Sequence, residues 1–164
     1  MLHLRSPLSD HENDCSSSLH SETLEIVDVG SVCGFGLVAK RQFKPGELIL
    51  PLTGRLAPVS YKTIQIDANS HVEGPVLAFI NHSCRPSAVV VTQDCAVRAF
   101  TKLEIGEEVT FFYPSTEWEM ARPFECSCGE PDCIGYVAGA RYLSAAIFTR
   151  YFINLHIRQL SVQQ

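Results

Sequence analysis

Long apolar runs are missing from this sequence. The nearest approach, Tyr142 to Leu160, is broken by Arg150, Asn154, His156 and Arg158, so no membrane-spanning segment is expected. Basic charge is scarce as well: 13 Lys and Arg face 18 Asp and Glu, for a net charge of −5. Phosphate backbones are held by basic surfaces, so direct nucleic-acid binding is not expected, whereas basic partners such as lysine-bearing peptides are. The opening stretch, MLHLRSPLSDHENDCSSSLHS, has no apolar run behind a positive start. It reads as a mobile tail over residues 1–22 rather than a secretory signal, and the expected location is intracellular, cytoplasmic or nuclear. No sequence repeat is visible. Neither a catalytic carboxylate pair nor a nucleophile–base pair stands out. His71-Val72-Glu73 has the H-x-E of the zinc deaminases, but Pro131-Asp132-Cys133 does not complete their P-C-x-x-C. Cys84 as nucleophile with His82 as base is a weak alternative to a metal role for that thiol.

What remains suits one domain. The 164 residues are 46% hydrophobic and 19% charged, enough to fill a core. Short β-like runs dominate: Leu24–Val29, Leu37–Lys40, Leu48–Leu52, Ala88–Thr92, Ala96–Phe100 and Val109–Phe112. Gln93-Asp94 reads as a hairpin turn, and Phe43–Glu47 and Ile105–Glu107 as turns leading into strands. From Ala138 to Gln159 the period changes. Leu143, Ile147, Tyr151, Leu155 and Ile157 recur at helical spacing, which predicts a helix with a wide apolar face. So apolar a face needs cover from the domain or from a second copy, and a homodimer through this helix is one expectation.

Seven cysteines without a secretion signal point to metal rather than to disulfides. Three of them, Cys126, Cys128 and Cys133, form a tight C-x-C-x4-C cluster that can converge if the chain turns at Gly129 and Pro131. Thiolates suit zinc, and a closed structural site takes four ligands. Cys84 in Asn81-His82-Ser83-Cys84 is the natural candidate for the fourth. Taken alone, His82 also fits a satisfied core histidine and Cys84 a small buried apolar residue. Gly34-Phe35-Gly36 lets backbone approach a ligand closely, yet it lacks the third glycine and the helix of a dinucleotide site. The run Gly106-Glu107-Glu108-Val109-Thr110-Phe111-Phe112-Tyr113 delivers a tyrosine to a Pro-containing bend.

In this order and spacing, G-F-G, N-H-S-C, G-E-E-V-T-F-F-Y and C-x-C-x4-C-x-G resemble the SET domain and its post-SET zinc module, over about Leu24 to Gly139. The resemblance implies a mainly β fold of small curved sheets, with Asn81–Cys84 threaded as a pseudoknot, a post-SET zinc loop and a C-terminal α-helix. It divides the chain into a tail (1–22), a SET domain (23–122), a post-SET module (123–138) and the C-terminal helix (139–164). It also implies an S-adenosylmethionine-dependent methyltransferase, most naturally of protein lysine. Backbone at Gly34, Phe35 and Gly36 would line the cofactor site, Asn81 and His82 would contact the cofactor, and Tyr113 would stand beside the transferred methyl. Tyr136 would help roof the site. Cys84, Cys126, Cys128 and Cys133 would hold one structural Zn2+, leaving Cys15, Cys33 and Cys95 as free thiols.

Departures from the family pattern are Ala78, Phe112 and Ser87, where many relatives have Arg, an acidic residue or Asn, and Asn. The stretch between Leu52 and Asn81, from which relatives build one wall of the peptide groove, is short. Two other readings therefore stand beside lysine methylation. One is a repurposed enzyme acting on a small molecule, by methyl transfer or by cyclisation. The other is a non-catalytic zinc- and cofactor-binding protein.

Overall fold

Among the described residues no strand exceeds five residues, because Gly, Pro or a polar turn interrupts the apolar runs. The computed structural model describes residues 22–30 and 34–163. Most of the expected tail, with Cys15, and also Cys33, lie outside the described residues.

The first sheet is an antiparallel pair, β1 (Leu24–Asp28) with β2 (Phe35–Ala39), in the register Leu24↔Ala39 to Asp28↔Phe35. Residues 107–109 join the free edge of β2, through Ala39 N–H to Glu107 O (2.9 Å) and Val109 N–H to Leu37 O (2.7 Å). A three-stranded sheet follows, in the order β3 (Leu48–Pro51), β9 (Ala96–Ala99), β8 (Ala88–Val91). The expected turn at Gln93-Asp94 is a single 3-10 turn, closed by Cys95 in the left-handed region at φ 49°. Phe43 and Leu103, both fully buried, exchange two backbone bonds of 3.0 Å and tie these sheets to one core. Burying each such side chain contributes about 1.5–3 kcal/mol.

Between Leu52 and Asn81 lies a small sheet that the sequence pattern did not reveal: β4 (Arg55–Ala57), β6 (His71–Glu73) and β5 (Thr63–Gln65), in that order. Three-residue strands carry too little alternation to be read from sequence. A buried carboxylate fastens this sheet to the core. Glu117 Oε1 accepts from Gln65 N–H (2.8 Å) and from the Thr116 hydroxyl (3.2 Å), while Trp118 N–H donates to Gln65 Oε1 (2.9 Å). His71 Nδ1 approaches Glu117 Oε2 at 3.9 Å. Burial pushes His71 down and Glu117 up, so this approach is not a charged pair.

Strands β7 (Asn81–His82) and β10 (Thr110–Phe111) lie side by side in parallel register, Asn81 opposite Thr110 and His82 opposite Phe111. Short parallel pairing between segments so far apart is where the resemblance implied a threaded crossing. A last hairpin, β11 (Phe124–Glu125) with β12 (Tyr136–Val137), encloses the cysteine cluster.

The C-terminal region is helical but divided. Where one continuous helix was expected over Ala138–Gln159, there are two, α1 (Ala145–Arg150) and α2 (Leu155–Val162). Ser144 and Asn154 each sit in extended backbone as N-caps; the Ser144 hydroxyl accepts from Ile147 N–H. The Asn154 side chain is taken by tertiary bonds instead. Its amide donates to Val90 O (2.8 Å) and Ser115 O (2.9 Å), and its oxygen accepts from Thr92 N–H (3.0 Å). That anchor breaks the helix. Ile153 and Ile157 then bury against Phe112 and Ala140, cover that satisfies the packing demand behind the homodimer expectation. Among the described residues no helix is long and apolar enough to cross a membrane.

Two measurements follow from these contacts. Asn154→Ala takes these partners from Val90 O and Thr92 N–H, while Ser115 O keeps the Asn154 N–H at 3.1 Å, and should lower unfolding stability by about 1–3 kcal/mol in denaturant titration; a loss under about 0.5 kcal/mol would show that the anchor is replaceable. Burial raises the Glu117 carboxyl from its ordinary 4.5 to about 7, against the lowering pull of the Gln65 and Thr116 bonds. The folded state therefore holds this proton more tightly than the unfolded chain. Its contribution is full below about pH 4.5 and is lost as pH rises through about 7. Glu117→Gln should melt progressively higher relative to the parent between about pH 5 and pH 8, and a pH-independent difference would refute this account.

Candidate functional site

The site is built from three ends of strands. Asn81 opens β7, a two-residue strand whose side chains alternate, so Asn81 and His82 serve opposite faces. The Asn81 amide donates to Phe35 O (3.0 Å) and to Glu108 Oε1 (2.7 Å). Glu108 lies against Gly36, where a Cβ would collide with both its carboxylate and Val29. Gly36 is thus required by close packing, and Asn81, Glu108 and the backbone of Phe35 form one polar unit. Phe35 itself and Tyr136 on β12 leave their rings exposed.

Tyr113 follows β10 and opens a tight 3-10 turn, Tyr113–Ser115, with Pro114 as its second residue. Its hydroxyl donates to Ile80 O (3.0 Å), and its N–H donates to His82 Nδ1 (3.2 Å). Because Nδ1 accepts, the neutral imidazole carries its proton on Nε2, which faces Cys84 Sγ at 3.4 Å. Burial pushes His82 down to about 4, so it is neutral at physiological pH. The Tyr113 ring packs against His82, Phe111 and Phe124, at centroid distances of 5.3, 4.8 and 6.0 Å.

Cys84, Cys126, Cys128 and Cys133 come together, with all four sulfurs within 4.8 Å of one another. Sγ of Cys84 lies 3.9 Å from Cys126 and 3.8 Å from Cys133. A tetrahedron with metal–sulfur bonds of about 2.3 Å has edges of about 3.8 Å, so this spacing fits a four-thiolate ion. Backbone N–H groups of Ile134 and Gly135 point at Cys84 (3.5 Å) and Cys133 (3.3 Å), as they would toward anionic sulfur. Without a cation, burial pushes the Cys84 thiol above its ordinary range and Cys126 up to about 11. Cys95 is exposed, apart from this cluster, and free.

The C-terminal region braces the cluster from outside. The Tyr151 hydroxyl donates to Cys84 O (2.8 Å), its ring stacks on Phe112 at 3.7 Å, and Arg150 donates to Asp132 O (3.0 Å). Phe112, where relatives often carry a polar residue, is therefore a packing partner here.

Two cavities adjoin these residues. The larger, about 470 Å³, lies outside the cluster between Pro86, Phe100, Phe152 and Arg150, and contains none of Asn81, His82 or Tyr113. The smaller, about 40 Å³, has Tyr113, Ile80 and Phe111 on one side and Tyr61, Lys62 and Arg122 on another, with Glu117 in its wall. Of these two cavities, the smaller is the one that Tyr113 lines. Sequence reasoning missed Glu108, Glu117, Phe124 and Tyr151. Glu108 lay inside the quoted G-E-E-V run and could have been singled out. The others carry no local signal.

A family model of the SET domain matches residues 34–114. Methyltransferase flvH of Aspergillus flavus is 34% identical over 146 residues, covering 86% of this chain and 82% of that protein. The H3 lysine-36 specific histone-lysine N-methyltransferase of Candida albicans is 28% identical over 140 residues, but the chain spans 16% of its length. For the variant-silencing SET domain-containing protein of Plasmodium falciparum, 31% identical over 135 residues, the span is 5%. The crystal structure of KRYPTONITE in complex with mCHG DNA and SAH shares the fold, with a TM-score of 0.55 at 19% identity over 69% of this chain and 28% of that one. Short sheets, a parallel β7–β10 crossing and likeness to flvH over most of both chains lead to one assignment: this chain belongs to the SET-domain family of methyltransferases.

Proposed function

We propose that this protein transfers a methyl group from S-adenosylmethionine to an amine nitrogen. Lysine is the acceptor named for its histone-modifying relatives, and a small-molecule amine is the second reading. The observation that carries the proposal is the position of Tyr113, shared between the polar unit around β7 and a narrow cavity that admits little more than one small group. The narrowness of that cavity favours the second reading. A cytoplasmic or a nuclear location suits this chemistry.

The cofactor, when bound, supplies a sulfonium methyl that an amine lone pair can displace in line, the amine proton leaving to solvent. This chain's residues bind, orient and exclude water. The Asn81 amide and the backbone of residues 34–36 offer polar groups for the amino-acid part, neutral His82 offers a flat apolar face, and Tyr136 and Phe35 offer exposed rings as cover. Tyr113, its hydroxyl already fixed by Ile80 O, would orient the amine. Ile80, Leu77 and Phe111 keep the cavity apolar, which lowers an ammonium's pKa and favours the nucleophilic neutral amine.

We assign the four thiols to one structural Zn2+. Purified protein should carry about one zinc per chain, and a chelator or Cys128→Ser should release it and lower the melting temperature; a zinc-free protein of unchanged stability would refute the assignment. Tyr113→Phe removes one hydroxyl and keeps the ring. Turnover should fall about a hundredfold or more while cofactor affinity, read by calorimetry, stays within about threefold. Parental turnover in this variant would reduce Tyr113 to a packing residue.

A further inference from the structure

Charge around the small cavity is arranged against the chain's overall balance. Its wall holds one carboxylate, that of Glu117, whose side chain is 10% exposed. Oε1 is saturated by Gln65 N–H and the Thr116 hydroxyl. Oε2 has only His71 Nδ1, at 3.9 Å, beyond hydrogen-bond reach. At the mouth stand Lys62 and Arg122, both exposed, each with its cationic group 5.6 Å from the Tyr61 ring centroid. Neither is in an ion pair among the described residues. The cavity therefore presents one carboxyl group in its wall, raised by burial to about 7 and ionised when an ammonium group enters, and two unpaired cations at its rim.

Resting on the amine-methylation reading above, we infer that the acceptor is a small zwitterion, an aliphatic amine carrying a carboxylate. Its ammonium group enters the cavity toward Glu117 Oε2 and Tyr113, and its carboxylate is held by Lys62 and Arg122. A lysine-rich peptide is the poorer fit, because its flanking cations would meet Lys62 and Arg122. Like charges at close range repel, and two cations on an aromatic ring form a ready carboxylate clamp. The short β4–β6–β5 sheet supports the same conclusion, since it supplies Lys62 in place of a long peptide-binding wall.

The test is methyl transfer from labelled cofactor to three acceptors: ω-amino carboxylates from 4-aminobutanoate to 8-aminooctanoate, the corresponding unsubstituted alkylamines, and a basic lysine peptide. The best ω-amino carboxylate should exceed both its alkylamine and the peptide by about tenfold or more in kcat/KM. Charge reversal of the two exposed cations, Lys62→Glu with Arg122→Glu, should raise its KM about tenfold, leave cofactor affinity unchanged and improve the peptide. Glu117→Gln should raise KM for every amine. Equal or better turnover of the alkylamine or the peptide, or a charge-reversed enzyme with parental KM, would overturn the zwitterion and leave amine methylation standing. Cofactor binding with no transfer to any of the three would overturn both.

Discussion

Four sulfurs within 4.8 Å of one another hold the active half of this molecule together. Cys84 belongs to the central segment after β7, and the other three to the β11–β12 hairpin more than forty residues later. Closing a loop of that length costs conformational entropy, and the two-stranded hairpin buries too little to meet the cost alone. Uncharged thiols repay little, and burial opposes their ionisation. A cation held by Cys84, Cys126, Cys128 and Cys133 would reverse the balance by favouring thiolate at all four positions. The gain is positional: the hairpin brings Phe124 against His82 and Tyr113, at 5.8 and 6.0 Å, and so completes the aromatic wall of the site.

The C-terminal region makes a second, metal-independent tie to the same place. Tyr151 reaches Cys84 O, Arg150 reaches Asp132 O, and Asn154 joins β8 to the turn after Tyr113. The helix is broken where Tyr151 and Asn154 adopt extended backbone, with the Asn154 side chain bonded to Val90 O, Ser115 O and Thr92 N–H. Local propensity yields to tertiary hydrogen bonds, and most visibly so at Asn154, whose capping capacity is spent on other backbone.

How much could be read beforehand follows the same division. The strands of the β1–β2 and β3–β9–β8 sheets were legible because Val, Ile and Leu recur between Gly and Pro turns, and their ends shifted by only a residue or two. Cys126, Cys128 and Cys133 were legible from spacing, and Cys84 from its motif. The β4–β6–β5 sheet was not, since three-residue strands leave no period to detect. Glu117 sits in Ser-Thr-Glu-Trp with nothing to distinguish it from a surface acid, and its burial arises only when Gln65 is brought to it across 52 residues. Phe124 and Tyr151 act through partners remote in sequence. The helix period near the C-terminus was correctly sensed, but the break at Ile153-Asn154 depends on contacts that no local window contains.

Net charge and local charge point to different acceptors. At −5, the chain invites the expectation of a basic partner. Screening in physiological salt confines surface fields to about 8–10 Å, so an acceptor at the small cavity responds to the charges lining it and little to the total. Those charges are Lys62 and Arg122 outside and Glu117 within. Glu117 lies in the low-dielectric wall, where burial raises its carboxyl to about 7; on the zwitterion proposal an entering ammonium favours the ionised form, and the pair forms in the interior. The two exposed cations act more weakly but in concert, and they disfavour further positive charge next to that cation. A histone tail, with basic residues around its target lysine, satisfies the first condition and violates the second. An amine with its own carboxylate satisfies both, which is why the zwitterion proposal rests on the local arrangement and not on the composition.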